Sequence, residues 1–233
     1  FTEGDLSLIQ TMADQASITI NYFQMVQAIV EKKQSERDVM IAAQIQQGLL
    51  PKIFPVTEHF NADGFSYAAR GVGGDYFDYI MFNENEYGFI MSDVAGKGVP
   101  ASLVMVMIRT IFKIYAESSK STDDVLSVIN NFLAVDISEE RYAVMYYYKI
   151  DINNKKIFFS NAAHSPLLIY RYNQDIFDNC DTDGMPIGIA NESKYEGKET
   201  NYESGDIFLL YTDGISEAMN IKREQFTLES VME

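Results

Sequence analysis

Three aspartates, each with glycine close by in the sequence, are the residues best suited to metal chemistry. Asp75 follows two glycines, Asp93 closes an apolar run before a Gly-Lys-Gly turn, and Asp213 precedes another glycine. Glycine lets the backbone turn at the end of a strand and leaves the neighbouring carboxylate open to a cleft. Carboxylate oxygens are the ligands that hard divalent cations prefer. The sequence therefore predicts a carboxylate cluster that binds such cations.

The composition narrows the class of protein. The chain has 233 residues, of which 47% are hydrophobic, enough for one substantial core and an appendage. Its formal net charge of -16 argues against a nucleic-acid partner, because phosphate backbones are bound by basic patches. The single cysteine, Cys180, excludes an internal disulfide and a cysteine zinc site, and favours the reducing cytoplasm as the compartment.

The sequence contains neither a signal-peptide pattern nor a membrane span. The longest apolar stretch, from Leu103 to Tyr115, carries two basic residues and is too short to cross a bilayer. The chain opens with Phe-Thr-Glu-Gly-Asp, so we expect it to be a fragment of a longer protein.

The first fifty residues predict one long helix, from residue 4 to about residue 50. Apolar or small side chains recur at steps of three and four residues, as in a heptad seam, at Ile9, Met12, Ala16, Thr19, Phe23, Val26 and Val30. This pattern fits either an amphipathic helix packed on its own domain or a dimeric coiled-coil connector between a sensor and an output domain. We favour the connector, with residues 1–50 as a signalling linker that forms a homodimer and residues 51–233 as the output domain.

Beyond Pro51 the hydrophobic period changes to that of strands. Helical patterns return at about residues 100–116 and 122–135, at residues 215–219 and at the chain end. Strands are predicted at residues 65–69, 76–82, 87–92, 142–152, 156–161, 167–172 and 207–211. Strands, two helices, strands and a helix in this order favour an α+β sandwich of antiparallel sheets with helices on the outer faces.

Five motifs, taken in order, resemble those of the PPM/PP2C-like serine/threonine phosphatases of the SpoIIE/RsbU type. The resemblance covers residues 45 to 233. The matching segments are Val72-Gly73-Gly74-Asp75-Tyr76-Phe77-Asp78, Ser92 to Ala101, Asn161-Ala162-Ala163-His164-Ser165-Pro166, Gly184-Met185-Pro186-Ile187-Gly188 and Tyr211 to Ala218. The first six residues also resemble the end of a GAF sensor domain that runs into its signalling helix.

The resemblance implies a fold of two stacked sheets flanked by helices, with two Mn²⁺ or Mg²⁺ ions at one edge. Carried over by motif, Asp93 would bridge both ions, Asp75 and the backbone carbonyl of Val94 would bind one, and Asp213 the other. These aspartates are therefore the expected catalytic residues. The family has a further aspartate near its final strand, which lies beyond this sequence, so we expect the C-terminal end of the domain to be missing.

Three other side chains have two interpretations each. Arg70 lies five residues before Asp75, where related phosphatases place a phosphate-binding arginine; it is either that substrate clamp or a surface residue. Asp78 either supports a metal ligand without binding the metal itself or is an exposed strand residue that faces away from the cleft. His164 is either a catalytic base or, as we favour, a structural residue of its turn.

The resemblance implies a metal-dependent protein phosphatase of bacterial partner-switching signalling. Its expected substrate is a phosphoserine or phosphothreonine on a STAS-domain anti-anti-sigma factor, hydrolysed by a water that two metal ions activate. The alternative is a non-catalytic dimeric signalling module with a phosphatase-like fold. Metal-dependent release of phosphate distinguishes the two.

Overall fold

A computed structural model of the chain describes residues 2–67, 71–137 and 141–232. The chain forms two compact units, Phe1–Gln44 and Ile45–Glu233. Helix α1 (Glu3–Leu49) makes up the first unit and contributes its last turn to the second. The predicted N-terminal helix is thus confirmed, since no proline interrupts the chain before Pro51. Over the ranges just given, none of the helices has the length and apolar character needed to cross a membrane.

The second unit is built from two antiparallel sheets and four helices of its own. In chain order its elements are β1 (Tyr76–Asn83), β2 (Glu86–Val94), α2 (Val99–Tyr115), α3 (Thr122–Asp136), β3 (Ala143–Asp151), β4 (Lys156–Ala162), β5 (Leu167–Arg171), β6 (Ile176–Cys180), β7 (Lys198–Asn201), β8 (Ile207–Leu209), α4 (Asp213–Ser216) and α5 (Leu228–Met232). One sheet has the strand order β1-β2-β3-β4-β7 and the other the order β6-β5-β8.

Two apolar clusters lie on opposite faces of the five-stranded sheet. Helices α2 and α3 cover one face, where Ile108 and Leu133 pack with Ile90 of β2. The other face packs on the three-stranded sheet, where Phe89 of β2 and Ile169 of β5 share a second cluster. Successive side chains of a strand point to opposite faces, so Asp93 lies on the same side of β2 as Phe89, between the sheets.

The predicted antiparallel α+β architecture is confirmed, with differences in individual strands. Strands β6 and β7 were not predicted, because their sequences Ile-Phe-Asp-Asn-Cys and Lys-Glu-Thr-Asn carry little of the β-branched alternation that marks a strand. The predicted strand at residues 65–69 is wrong over residues 65–67, which pair with no neighbouring strand, and its last two residues lie outside the described ranges. The helix expected over residues 215–219 begins at Asp213 instead and ends at Ser216.

Candidate active site

Asp75 and Asp93 meet at the end of the β1–β2 ladder. Tyr76, the first residue of β1, pairs with Ser92, so the next position back along β1 sets Asp75 opposite Asp93. The two half-buried carboxyl groups lie in hydrogen-bond contact. Two of the three predicted catalytic aspartates are therefore brought together by strand register alone.

Gly74 explains how the two strands approach so closely at this point. A Cβ atom on Gly74 would stand 2.5 Å from the backbone oxygen of Val94 and 3.1 Å from its nitrogen. Only glycine fits against that backbone without displacing it. The Val94 carbonyl, predicted as an oxygen ligand, consequently lies beside the residue that precedes Asp75.

The surroundings of the pair raise the pKa of both carboxyl groups. For Asp93, burial, the charges of Asp75 and Asp213 and the hydrogen bond with Asp75 raise the pKa from the ordinary 3.8 to about 7. Burial is also the main cause that raises the pKa of Asp75, while its hydrogen bond to Asp93 opposes the rise. Two neighbouring carboxyl groups disfavour each other's ionisation, so they titrate as a pair. A cation bound by both groups would offset their repulsion.

Asp213 lies close to the pair but is not packed into it. It is an exposed residue at the start of α4, and its charge raises the pKa of both Asp75 and Asp93. Over residues 2–67, 71–137 and 141–232, no three Asp, Glu, His or Cys side chains stand close enough together to hold a metal ion. The structure therefore forms the Asp75–Asp93 pair and leaves Asp213 within electrostatic range of it.

A cleft of about 500 Å³ opens between the sheets beside the pair. Asp75 lies in its wall together with Phe77, Met91 and Tyr211. Thr212 and Gly214, the neighbours of Asp213, line the same space. A substrate group can therefore approach Asp75 from this side.

Asp78 also contributes to the wall of this cleft, but its carboxylate faces α2. Its side chain is only 4% exposed and forms an ion pair of 2.7 Å with Lys113 of α2, with Arg109 3.8 Å away. It also accepts hydrogen bonds from the Tyr76 hydroxyl at 3.0 Å and from the backbone N–H of Tyr79 at 2.8 Å. Asp78 thus joins β1 to α2 on the helix-covered face, and a supporting role at the metal ligands does not fit this position.

His164 is held inside a tight turn. Asn161 accepts from the backbone N–H of His164 and donates to its carbonyl, both at 2.8 Å, and Ala163 between them has a φ of 58°. The Nδ1 atom lies 2.8 Å from the carbonyl oxygen of Ser165, and Nε2 is buried without a partner among the described residues. Burial lowers the pKa of the ring, against an opposing contribution from Asp213. These contacts fit the structural role favoured for His164.

Arg70, the predicted phosphate clamp, lies outside the described residues. A different polar residue near the pair, Gln46, was not predicted from the sequence. Among the described residues of α1 it alone is buried, and its amide contacts the backbone of Gly73, two positions before Asp75. Its only sequence signal is a glutamine at the junction of the helix with the first proline, and this does not identify a partner 27 residues away.

Comparison with known proteins identifies the family. The family model "Stage II sporulation protein E (SpoIIE)" matches residues 83–233. The chain belongs to the SpoIIE family. Its resemblance to SpoIIE/RsbU-type phosphatases, stated from five short motifs, is thereby confirmed, whereas the GAF resemblance of the first residues stays a prediction.

Relatives of this SpoIIE-family chain agree with that assignment. The chain is 27% identical over 186 residues to phosphoserine phosphatase RsbU of Bacillus subtilis, covering 80% of this chain and 55% of RsbU. It therefore spans about half the length of that relative.

Solved structures show the PP2C fold. The SiaA-PP2C domain of Pseudomonas aeruginosa matches with a TM-score of 0.68 at 20% identity, over 86% of this chain and 81% of that domain. The PP2C phosphatase domain of SpoIIE from Bacillus subtilis, solved with a fragment of its regulatory domain, matches with a TM-score of 0.56 at 25% identity, over 65% of this chain and 44% of that one.

Proposed function

We propose that this SpoIIE-family chain is a Mn²⁺- or Mg²⁺-dependent protein phosphatase. The observation that carries the proposal is the contact between the carboxyl groups of Asp75 and Asp93, whose pKa values are both raised. Two carboxylates held this close repel each other when both are ionised, and a divalent cation relieves that repulsion. Such a pair beside an open cleft is a reasonable site for metal-assisted hydrolysis.

The residues at the pair fit hard cations. Asp75, Asp93 and the Val94 carbonyl would hold one such ion, and the exposed Asp213 would contribute an oxygen to a second. The chemistry that a bound metal pair would supply is polarisation of the phosphoryl oxygens and activation of a water as the nucleophile. In the net reaction the bond between phosphorus and the serine or threonine oxygen breaks, a bond to the water oxygen forms, and inorganic phosphate and the free hydroxyl result.

We propose phosphoserine or phosphothreonine on a STAS-domain anti-anti-sigma factor as the substrate. Support comes from the family motifs and from the similarity to a protein named phosphoserine phosphatase RsbU. Arg70, five residues before Asp75, is proposed to clamp the phosphoryl group, so Arg70→Ala should raise the Michaelis constant and leave Mn²⁺ affinity unchanged. An unchanged Michaelis constant would remove Arg70 from this role.

We further propose that residues 1–50 are a signalling linker that forms a homodimer. Residues 51–233 are then the phosphatase domain. We also propose the cytoplasm as the compartment in which the protein acts. Large apolar side chains of α1 are exposed at heptad spacing, among them Ile9, Met12 and Phe23. Burying such a stripe against the same stripe of a second copy is the usual reason for this pattern. Sedimentation of the chain tests the dimer, and a monomer at micromolar concentration would contradict it.

The decisive experiment is phosphate release with and without Mn²⁺. Wild type should hydrolyse p-nitrophenyl phosphate and a phosphoserine protein only when Mn²⁺ or Mg²⁺ is present. Asp93→Asn should lose this activity, and the matched control Asp183→Asn, at an exposed loop position, should keep it. Wild type without turnover at saturating Mn²⁺ and Mg²⁺ would refute the proposal.

That negative result would favour a non-catalytic signalling module with a phosphatase-like fold. The observation on its side is that Asp213 stands apart from the Asp75–Asp93 pair, so that three ligands do not converge within the described ranges. A module of this kind should keep its fold and its partner binding when Asp93 is replaced by asparagine.

A further inference from the structure

Gln46 differs from every other described residue of α1 because its side chain is buried. Its amide makes two hydrogen bonds to one residue, Gly73. The Nε2 group donates to the Gly73 carbonyl at 2.6 Å, and Oε1 accepts from the Gly73 backbone N–H at 3.1 Å. One side chain thus satisfies both backbone polar groups of a glycine that lies in an irregular segment.

The segment that Gln46 holds leads directly to the carboxylate pair. Gly73 is followed by Gly74, whose backbone lies against that of Val94, and then by Asp75. Gln46 therefore fixes one side of this short segment, and β2 fixes the other. Because Asp75 follows Gly74 directly, a displacement of Gly73 changes where the Asp75 carboxylate stands relative to Asp93.

The end of α1 is itself anchored, so that the Gln46 amide is presented from a fixed position. Arg109 of α2 donates from Nε to the carbonyl oxygen of Leu49 at 3.0 Å, and its guanidinium lies 3.8 Å from Asp78. This contact satisfies one of the free carbonyls at the C-terminus of the helix. The last turn of α1 is consequently fastened at two points, to α2 by Arg109 and to the Gly73 backbone by Gln46.

We propose that Gln46 is a positioning residue for the Asp75 carboxylate, acting through the backbone of Gly73; the inference rests on the proposed metal-dependent function. The Gln46 carboxamide donates to the carbonyl and accepts from the N–H at the same time. Glutamate keeps the length and the acceptor but cannot donate, and alanine keeps the helix but loses both contacts.

The test compares Gln46→Ala and Gln46→Glu with Gln47→Ala in the complete 233-residue chain. Gln47 is an exposed glutamine on the same helical turn, so its substitution controls for helix propensity. Mn²⁺ affinity by calorimetry should fall about 10–100-fold in both Gln46 variants, the range seen when residues that orient metal ligands are removed. Saturating Mn²⁺ should restore most of the turnover. Gln47→Ala should match wild type in both measurements.

Hydrogen exchange at the Gly73 amide, measured in chelator, tests the contact without any metal. It should be about tenfold faster in Gln46→Ala and unchanged in Gln47→Ala. Wild-type Mn²⁺ affinity in Gln46→Ala would overturn the positioning role, as would unchanged exchange at Gly73. If wild type binds no Mn²⁺, the proposed function fails and the positioning of a metal ligand fails with it. Faster exchange at Gly73 would then show that the backbone contact itself is real.

Discussion

Replacing Asp93 with asparagine should make the metal-free protein more stable at neutral pH while it abolishes the response to Mn²⁺. In the folded chain the pKa of Asp93 is raised from 3.8 to about 7, chiefly by burial and by the charge of Asp75. The folded state therefore binds a proton that the unfolded state releases over this range. The stabilisation from Asp93 is fully present below about pH 4 and is lost as pH rises through about 7. Asparagine can donate to Asp75 at every pH and carries no charge.

The size of the effect follows from the same values. A rise in the pKa of Asp93 from 3.8 to about 7 corresponds to a change of roughly 4 kcal/mol at most in the free energy of unfolding. Both carboxyl groups are only half-buried, so solvent screens part of their repulsion, and we expect about 1–2 kcal/mol. In a chain of this length that raises Tm by about 2–8 °C.

Thermal unfolding in chelator at about pH 4 and about pH 8 measures this difference. Asp93→Asn should unfold at nearly the wild-type temperature at the lower pH and at a higher temperature at the upper pH. Added Mn²⁺ should raise the Tm of wild type and leave that of the variant unchanged, because the cation needs both carboxylates. Asp183→Asn, which has no hydrogen bond or ion pair among the described residues, should follow wild type throughout. A variant that is less stable than wild type at the upper pH would refute the proposed repulsion between the carboxyls.

Three further substitutions test separate parts of the site. Gly74→Ala places a Cβ atom 2.5 Å from the Val94 oxygen, so we expect Mn²⁺ affinity, measured by calorimetry, to fall by about tenfold or more. Asp78→Ala leaves Lys113 and Arg109 of α2 without their buried partner. The free energy of unfolding, measured in urea, should fall by about 3 kcal/mol, and Mn²⁺ affinity should stay unchanged. A fall in Mn²⁺ affinity would instead assign Asp78 to the metal site. Ala163→Gly relieves a left-handed residue with a φ of 58° and should stabilise the chain by about 0.5–1 kcal/mol in the same assay, whereas Ala162→Gly in the adjoining strand should destabilise it.

Local sequence patterns were sufficient for the strands that carry the carboxylate pair. The glycine before Asp75 and the apolar run before Asp93 predict two strand ends, and the antiparallel register β1–β2 makes them neighbours. The position of Asp213 relative to the pair depends on how the three-stranded sheet packs on the other, which no local pattern specifies. The contact between Gln46 and Gly73 is likewise tertiary, since it joins a helix to an irregular segment.

Strand periodicity alone assigns different roles to the two aspartates of the Asp-Tyr-Phe-Asp stretch. Residues three apart on a strand point to opposite faces, so Asp75 and Asp78 cannot both enter one cleft while β1 remains regular. Asp75 lies beside Asp93 between the sheets, and Asp78 is buried against Lys113 under α2. The same short strand therefore presents one carboxylate to the cleft and uses the other to hold α2. Arg109 of α2 also contacts the end of α1, so contacts at this one residue connect α1, α2 and β1.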